Sequence, residues 1–150
     1  MIELYHTVSN NASKNITRTY STSFSFGISL LDKSIRNAIY AIYGFVRLAD
    51  EIVDTFHDFP KREILEEFKY DTYKALDRGI SINPVLHAFQ IVVNEYKIDR
   101  ALIDKFLESM EKDLNEITYS SLAYDDYIVG SAEVVGLMCL MVFVNGDKSL

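Results

Sequence analysis

The sequence predicts an all-α protein, and three observations support this fold class. The 150-residue chain is 49% hydrophobic and 13% aromatic, which supplies enough apolar surface for a packed core and excludes a disordered chain. It contains only 2 prolines and 6 glycines, so long uninterrupted elements are expected rather than a loop-rich all-β pattern. Apolar residues recur with helical spacing, and no alternating strand pattern competes. We therefore expect one domain built as a helical bundle.

The first predicted helix follows Asp32, a residue type that commonly caps helix N-termini. Apolar positions between residues 35 and 53 repeat with the period of an amphipathic helix. A second helix is predicted from the segment FPKREILEEF, with Pro60 in its first turn and Gly79 at its end.

Two further helices have recognisable starts. Asn83 and Pro84 form a cap and first-turn pair, which predicts a third helix that runs through Val93. Asp99 is expected to cap a fourth helix that runs towards Ile117. No internal repeat or low-complexity linker interrupts this series.

A fifth helix is predicted to begin near Leu122 and to continue through the segment YIVGSAEVVGLMCLMVF. Its most apolar part, residues 134–144, is shorter than the roughly 20 residues that a membrane-spanning helix requires. Cys139 is the only cysteine, which excludes an intrachain disulfide and fits a reducing compartment, and we interpret it as a core residue. No secretory signal is visible, so a cytoplasmic protein is expected, either soluble or associated peripherally with a membrane surface.

Charge is distributed unevenly along the chain. The formal net charge of -7 argues against a nucleic-acid partner, because such partners require clustered Lys and Arg. Residues 1–49 nevertheless hold five Lys and Arg against two acidic residues, a balance of +3 that leaves -10 for the remainder. Two interpretations stay open: a cationic wall that faces metal-bound phosphates, and a chance scatter of solvated charges.

A polar stripe follows the first predicted helix at the border of its apolar face, where a helix can line a cleft. Its members are spaced alternately four and three residues apart: Arg36, Tyr40, Tyr43, Arg47, Asp50 and Asp54. Asp50 and Asp54 lie about 6 Å apart along the helix axis, so both carboxylates can bind hard cations that a phosphate shares. Mg²⁺ is the expected ion, with Mn²⁺ as an alternative.

Spacing alone leaves a simpler interpretation of this stripe open. Arg47 and Asp50 are three residues apart and could form an ordinary surface ion pair. His57 and His87 lack metal-ligand spacing, and we interpret them as exposed or hydrogen-bonded histidines. The sequence has no glycine-rich phosphate loop, Ser-His-Asp order or Cys/His cluster.

Three segments in order resemble the squalene/phytoene synthase family, which comprises head-to-head prenyl synthases with an all-α isoprenoid-synthase fold. The segments are TYSTSFSFGISLL, AIYAIYGFVRLADEIVD and YIVGSAEVVGLM, and RLADEIVD is most similar to bacterial phytoene synthases. The resemblance covers essentially the whole chain but only the N-terminal half of the family domain. Residues 1–150 are therefore expected to form the N-terminal part of a single all-α prenyl synthase domain, with its helical bundle present only in part.

The resemblance implies roles for individual residues. Asp50 and Asp54 match the family's first aspartate-rich motif, which binds diphosphate through Mg²⁺, and Arg47 and Tyr127 complete the expected catalytic set. The other matched residues are expected to bind the substrate: Ser21, Ser23, Phe24, Tyr43, Ala132, Val135 and Gly136. Two features complicate the match. Val135 and Gly136 would also suit ordinary helix packing, and Glu133 stands where the family commonly has glycine.

The activity implied by the resemblance is condensation of two geranylgeranyl diphosphate molecules to phytoene, as in carotenoid biosynthesis. The reaction passes through a cyclopropyl diphosphate intermediate, needs Mg²⁺ and uses no nicotinamide cofactor. A thirty-carbon squalene or dehydrosqualene synthase is one alternative, and a non-catalytic assembly or binding member of the superfamily is another. A head-to-tail synthase or terpene cyclase would leave STSFSF unexplained.

The chain ends before the position of the family's second aspartate-rich motif. Either it is a fragment of a longer synthase, which we favour, or a partner chain supplies the missing half. We expect the 150-residue chain to be inactive alone. We also expect uncovered apolar faces, notably around residues 134–144, to favour self-association.

Overall fold

The computed structural model describes residues 1–115 and 129–145. Within these ranges the chain forms seven α-helices: α1 (Ile2–Tyr20), α2 (Thr22–Ser29), α3 (Lys33–Thr55), α4 (Lys61–Arg78), α5 (Pro84–Tyr96), α6 (Arg100–Asn115) and α7 (Val134–Phe143). A π-helical turn, Val129–Glu133, leads directly into α7. These ranges contain no strand, and the predicted all-α fold is confirmed. The predicted start of a helix near Leu122 lies outside the described residues.

Helix α3 is the central element of the bundle and contacts each of the other six helices. Its predicted N-cap is confirmed, because the Asp32 carboxylate accepts a hydrogen bond from the Ser34 amide at 2.9 Å. The apolar face predicted from residue 35 onwards supplies the largest part of the core, including Ile42, Phe45 and Ile52. The stripe that borders this face is thereby positioned beside neighbouring helices.

The end of α4 follows the sequence prediction, and its start differs slightly. Gly79 adopts a left-handed conformation, with φ at 72°, and its amide donates to the Ala75 carbonyl. This is the helix ending for which glycine is favoured, because it has no Cβ to clash. Pro60 occupies the cap position just before the helix rather than the first turn, which begins at Lys61.

The caps of α5 and α6 are also confirmed. The Asn83 side chain accepts hydrogen bonds from two amides at the start of α5, and the Asp99 carboxylate accepts one from Ala101 at 3.0 Å. Helix α5 runs three residues past the predicted Val93, to Tyr96, where Lys97 takes a left-handed conformation.

Aromatic side chains from four helices meet at the centre of the core. The Phe45 ring of α3 stacks on Phe89 of α5, with ring centroids 3.9 Å apart. Phe68 of α4 and Phe106 of α6 each lie 5.5 Å from Phe45 by the same measure. These contacts fix α3 against the helices on either side of it.

Helices α1 and α2 occupy a region for which the sequence patterns give no helix prediction. The face of α1 that packs on the bundle buries Ser9, Ser13 and Thr17, which are small and polar rather than apolar. These residues are four positions apart, as expected on one face of a helix. Because they are polar, a pattern of periodic apolar residues does not include them. Small side chains allow α1 to approach α3 closely, since a Cβ on Gly44 would lie only 3.2 Å from Ser13.

No helix within the described ranges is both long and apolar enough to cross a membrane. Peripheral membrane association and a cytoplasmic location stay predictions.

Candidate functional site

The two aspartates of the stripe lie near the C-terminal end of α3. The Asp50 side chain retains 27% of its exposure, whereas Asp54 is exposed. Burial, reinforced by the charge of Asp54, raises the pKa of Asp50 to about 6. Partial shielding from solvent, followed by the charge of Asp113, raises the pKa of the more exposed Asp54 as well. Negative charge is therefore concentrated at this end of α3, where a cation would be stabilised.

Asp113 is a third carboxylate near this pair. It lies on α6, is half-buried, and contributes to the raised pKa of both aspartates. It is 59 positions beyond Asp54 in the sequence, so no local spacing indicates its proximity. The contact of α3 with α6 brings it to the site.

Arg47 forms the ion pair with Asp50 that spacing alone suggests, and a second, closer one with Glu51. Its guanidinium lies 2.7 Å from the Glu51 carboxylate and 3.8 Å from that of Asp50. Glu51 is therefore the principal partner, and the pKa of its carboxyl is lowered by the hydrogen bond from Arg47. The Nε atom of Arg47 is buried without a hydrogen-bond partner within the described ranges. Such a donor costs free energy unless a ligand or another part of the protein satisfies it.

Tyr20 is a site neighbour that the sequence analysis does not single out. The Arg47 guanidinium lies over its ring at 4.5 Å from the centroid, a cation–π arrangement. A hydrogen bond with Glu51 raises the pKa of the Tyr20 hydroxyl. Tyr20 ends α1, so this contact joins that helix to the aspartate-bearing end of α3.

The predicted substrate-binding residues of α2 lie beside the stripe. The Phe24 ring stacks on Tyr43 of α3, with centroids 4.8 Å apart, so these two predicted residues are brought together. Ser21 caps α2 by accepting a hydrogen bond from the Phe24 amide at 3.2 Å, which gives it a structural role. Ser23 is exposed.

Helix α7 and its π-helical turn carry the other predicted lining residues. Ala132 and Gly136 are exposed, and Val135 is half-buried against the core. A Cβ on Gly136 would meet nothing within 4 Å, so close helix packing does not explain this glycine. Glu133 is exposed. Tyr127, the fourth predicted catalytic residue, lies outside the described residues.

The donor set at the end of α3 suits a hard divalent cation. Carboxylate oxygens are the ligands that Mg²⁺ prefers, and a dication would offset the burial and the repulsion from Asp54 that raise the pKa of Asp50. Within the described ranges, no three Asp, Glu, His or Cys side chains are grouped closely enough to form a complete metal site. Asp50 and Asp54 can thus supply part of a coordination sphere, with phosphate oxygens or water as further ligands.

The remaining reactive side chains belong to the framework. His87 is buried, with one ring nitrogen 2.9 Å from His6 and the other 3.3 Å from the Ser81 amide, whereas His57 is exposed. Cys139 is half-buried against the core, and burial raises its thiol pKa to about 11. A thiol with that pKa is a poor nucleophile, which agrees with the interpretation of Cys139 as a packing residue.

Comparison with known proteins identifies the family. A model of the squalene/phytoene synthase family matches residues 17–149, which is most of the chain and includes the whole of α3. The chain belongs to this family. The resemblance inferred from the three sequence segments is confirmed.

Relatives agree with this assignment, and solved structures share the fold. The chain is 31% identical to a phytoene synthase of Cereibacter sphaeroides, over 93% of this chain and 42% of that protein. It is 26% identical to a 4,4'-diapophytoene synthase of Staphylococcus haemolyticus, over 87% of this chain and 46% of that protein. A squalene synthase from Alicyclobacillus acidocaldarius superposes with a TM-score of 0.83 at 22% identity, over 97% of this chain and 55% of the other.

A dehydrosqualene synthase crystallised with a ligand is similar in fold as well. Its TM-score is 0.79 at 22% identity, over 91% of this chain and 48% of the other. The chain spans about half the length of the relatives that it matches.

Proposed function

We propose that this chain supplies the diphosphate-binding half of a head-to-head prenyl synthase active site. The observation that carries the proposal is the pair Asp50 and Asp54, held with Arg47 at one end of the central helix of a squalene/phytoene synthase fold. Their pKa values are raised first by burial and then by neighbouring carboxylates, and a dication bound beside them would offset both effects.

Each group has a chemical role in this proposal. Asp50 and Asp54 hold Mg²⁺, with Mn²⁺ as a substitute, and the ion when bound neutralises charge on the departing diphosphate. Arg47, whose position is fixed by Glu51 and Tyr20, adds positive charge beside the diphosphate. Tyr127 is proposed to face the carbocation through its ring or hydroxyl.

The prenyl chains are proposed to lie between α2, α3 and α7. Phe24 and Tyr43 provide a stacked aromatic wall, and Gly136 of α7, where a Cβ would meet nothing within 4 Å, is proposed to leave room for a prenyl chain. Ser21, Ser23, Ala132 and Val135 are assigned to the same cavity by their match to the family. An apolar cavity of this kind excludes water from the cationic intermediates.

The reaction that we propose for the whole protein is condensation of two geranylgeranyl diphosphate molecules to phytoene, without a nicotinamide cofactor. Support comes from the 31% identical relative, which is a phytoene synthase. A thirty-carbon synthase is the second candidate, because another relative is a 4,4'-diapophytoene synthase. The 150-residue chain alone is expected to be inactive, since the relatives are about twice its length.

Product analysis distinguishes these candidates. A form of the protein that extends through a second aspartate-rich motif is incubated with Mg²⁺ and either geranylgeranyl or farnesyl diphosphate, and the extracted products are identified. Phytoene from the twenty-carbon substrate supports the proposal. Thirty-carbon product alone shifts the assignment to the second candidate. No product from either substrate contradicts both and favours a non-catalytic assembly role.

A further inference from the structure

The cations of the N-terminal segment gather in one pocket between α1, α2 and α3, which we call the basic pocket. It has a volume of about 240 Å³ and is lined by Lys14, Arg18, Lys33 and Arg36, together with Ser29, Asn37 and Tyr40. A second cavity of about 280 Å³ adjoins it and shares the side chains of Arg18, Ser29 and Tyr40. Four of the five cations of residues 1–49 therefore line the basic pocket, and only Arg47 lies beside the aspartates.

Positive charge in the basic pocket is not balanced by ion pairs. Within the described ranges, none of the four cations has a carboxylate at ion-pair distance. The Asp32 carboxylate, which accepts hydrogen bonds from the Ser34 amide and hydroxyl at 2.9 and 2.7 Å, attracts Arg36 without forming an ion pair, so it offsets one of the four positive charges at most. The basic pocket thus retains most of its positive charge.

Two features organise the basic pocket for an anion. The Nε atom of Arg36 donates to the Leu31 carbonyl at 2.9 Å, which fixes the guanidinium and leaves its terminal nitrogens available. Lys33 and Arg36 lie in the first turn of α3, where the helix dipole adds further positive potential. Cations in that position repel one another and the helix end, so the arrangement is stabilised when an anion binds.

Tyr40 provides a hydrogen-bonding group on the wall of the basic pocket. The residue is buried on α3 and lines both cavities. The Lys14 ammonium lies 5.8 Å from the centroid of its ring. An oxyanion in the basic pocket could accept from the hydroxyl and pair with the ammonium.

The basic pocket is separate from the proposed diphosphate site. Arg36 precedes Asp50 by fourteen positions on the same helix, which corresponds to about 21 Å along the axis. One diphosphate cannot contact both ends of α3. The two sites can therefore be tested independently.

We propose that the basic pocket binds a phosphate group, as a free phosphate or diphosphate or as part of an anionic lipid headgroup. The guanidinium groups of Arg18 and Arg36 bind the oxyanion, Lys14 and Lys33 add charge, and Tyr40 donates a hydrogen bond. This binding needs no divalent metal and does not depend on the proposed prenyl synthase activity.

Calorimetric titration of inorganic diphosphate into the protein, with EDTA present to remove metal-dependent binding, tests the proposal. The double variant Lys14→Gln/Arg18→Gln should bind at least tenfold more weakly, because both side chains line the basic pocket and neither makes a framework hydrogen bond. The double variant Lys105→Gln/Arg78→Gln is a matched control, since it removes the same charge from the exposed surface elsewhere. It should retain the affinity of the unsubstituted protein.

A second arm identifies the source of the phosphate. Flotation is measured with phosphatidylcholine vesicles that contain or lack phosphatidylserine. Diphosphate binding that is lost only in Lys14→Gln/Arg18→Gln supports a soluble anion. A lipid headgroup is supported if the unsubstituted protein binds phosphatidylserine vesicles but not diphosphate, and if Lys14→Gln/Arg18→Gln loses that vesicle binding. The proposal is overturned if neither probe binds, or if both double variants weaken binding equally.

Discussion

Asp50 is held in its place at a cost to folding stability. Its pKa rises from an ordinary value of 3.8 to about 6 in the folded protein, so the folded state binds a proton more tightly than the unfolded state. Stability therefore falls as pH rises between these two values, and the whole cost is present above pH 6. The shift corresponds to at most about 3 kcal/mol, and partial exposure of the side chain reduces that figure.

Substitution of neighbouring acids should change stability in opposite directions. Asp50→Asn is expected to stabilise the fold by about 1–2 kcal/mol at pH 8, because it removes a carboxylate that is destabilised by burial and by Asp54. Glu51→Gln should destabilise it, because Arg47 lowers the pKa of the Glu51 carboxyl and loses its principal partner. Urea denaturation of both variants is the measurement. A shift of the same sign in the two variants would refute this electrostatic account.

Buried His87, which is hydrogen-bonded to half-buried His6, predicts a second pH dependence. The Ser81 amide donates to Nδ1 of His87, so its ring proton lies on Nε2 and is donated to His6. Burial, together with the charge that His6 would carry, lowers the pKa of His87. Stability from neutral His87 is complete above the ordinary histidine pKa of about 6.5, and it is lost as pH falls below that value towards the lowered pKa of the folded state.

Denaturation midpoints at pH 8 and pH 5.5 test this dependence. The unsubstituted protein should be more stable than His87→Gln at pH 8, and the difference should shrink at pH 5.5, because the variant has no ring to protonate. His57→Gln is the control, since His57 is exposed. A stability difference between the unsubstituted protein and His87→Gln that is the same at both pH values would count against a lowered pKa of His87.

Single residues of the candidate site were predictable from sequence only where the signal is local. Asp50, Asp54 and Arg47 share one helix face, so their spacing places them together on α3. Asp113 and Tyr20 reach the site through packing of α6 and α1, and no spacing within one segment encodes that. Competition between Glu51 and Asp50 for Arg47 depends on side-chain geometry, which spacing leaves undetermined.

At the scale of elements, the contact between α1 and α3 depends on small side chains. A Cβ at position 44 would lie 3.2 Å from the Ser13 side chain and 3.3 Å from its Cα, so the α1 backbone must move to accommodate it. Gly44→Val should therefore destabilise the protein by about 1–3 kcal/mol. Gly27→Ala on α2, where nothing lies within 4 Å, should instead stabilise it by up to about 1 kcal/mol. Chemical denaturation measures both, and equal stability of Gly44→Val and the unsubstituted protein would contradict the close approach.

The helix starts that depend on capping residues were predictable from the sequence. Helices that lack a periodic apolar face were not. Asp32, Asn83 and Asp99 each cap the helix that follows them, as expected. Helix α1 faces the bundle with Ser9, Ser13 and Thr17, so its signal is small size at four-residue spacing rather than hydrophobicity. The π-helical turn before α7 has no distinct composition and was likewise not foreseen.

At the scale of the whole molecule, α7 leaves an apolar face uncovered within the described structure. Leu137, Leu140 and Phe143 are 41%, 49% and 52% exposed, as predicted for this part of the chain. Exposed surfaces of this kind drive association, so the 150-residue chain should self-associate as its concentration rises. Leu140→Lys should weaken association, whereas Ile82→Lys should not, because Ile82 is an exposed residue outside α7, in the connection between α4 and α5. Sedimentation velocity tests this, and a stable monomer at micromolar concentration would contradict it.

Metal-dependent turnover by aspartate variants tests the central claim most directly. In a form that extends through a second aspartate-rich motif, product formation from geranylgeranyl diphosphate is measured for the unsubstituted protein, Asp50→Asn, Asp54→Asn and the exposed control Glu66→Gln. The account predicts that both aspartate variants stay folded and lose at least about a hundredfold in turnover, since their carboxylates hold the metal. It also predicts full activity for the control and none after chelation. Turnover of either aspartate variant close to that of the control, or product that forms despite chelator, would contradict the account.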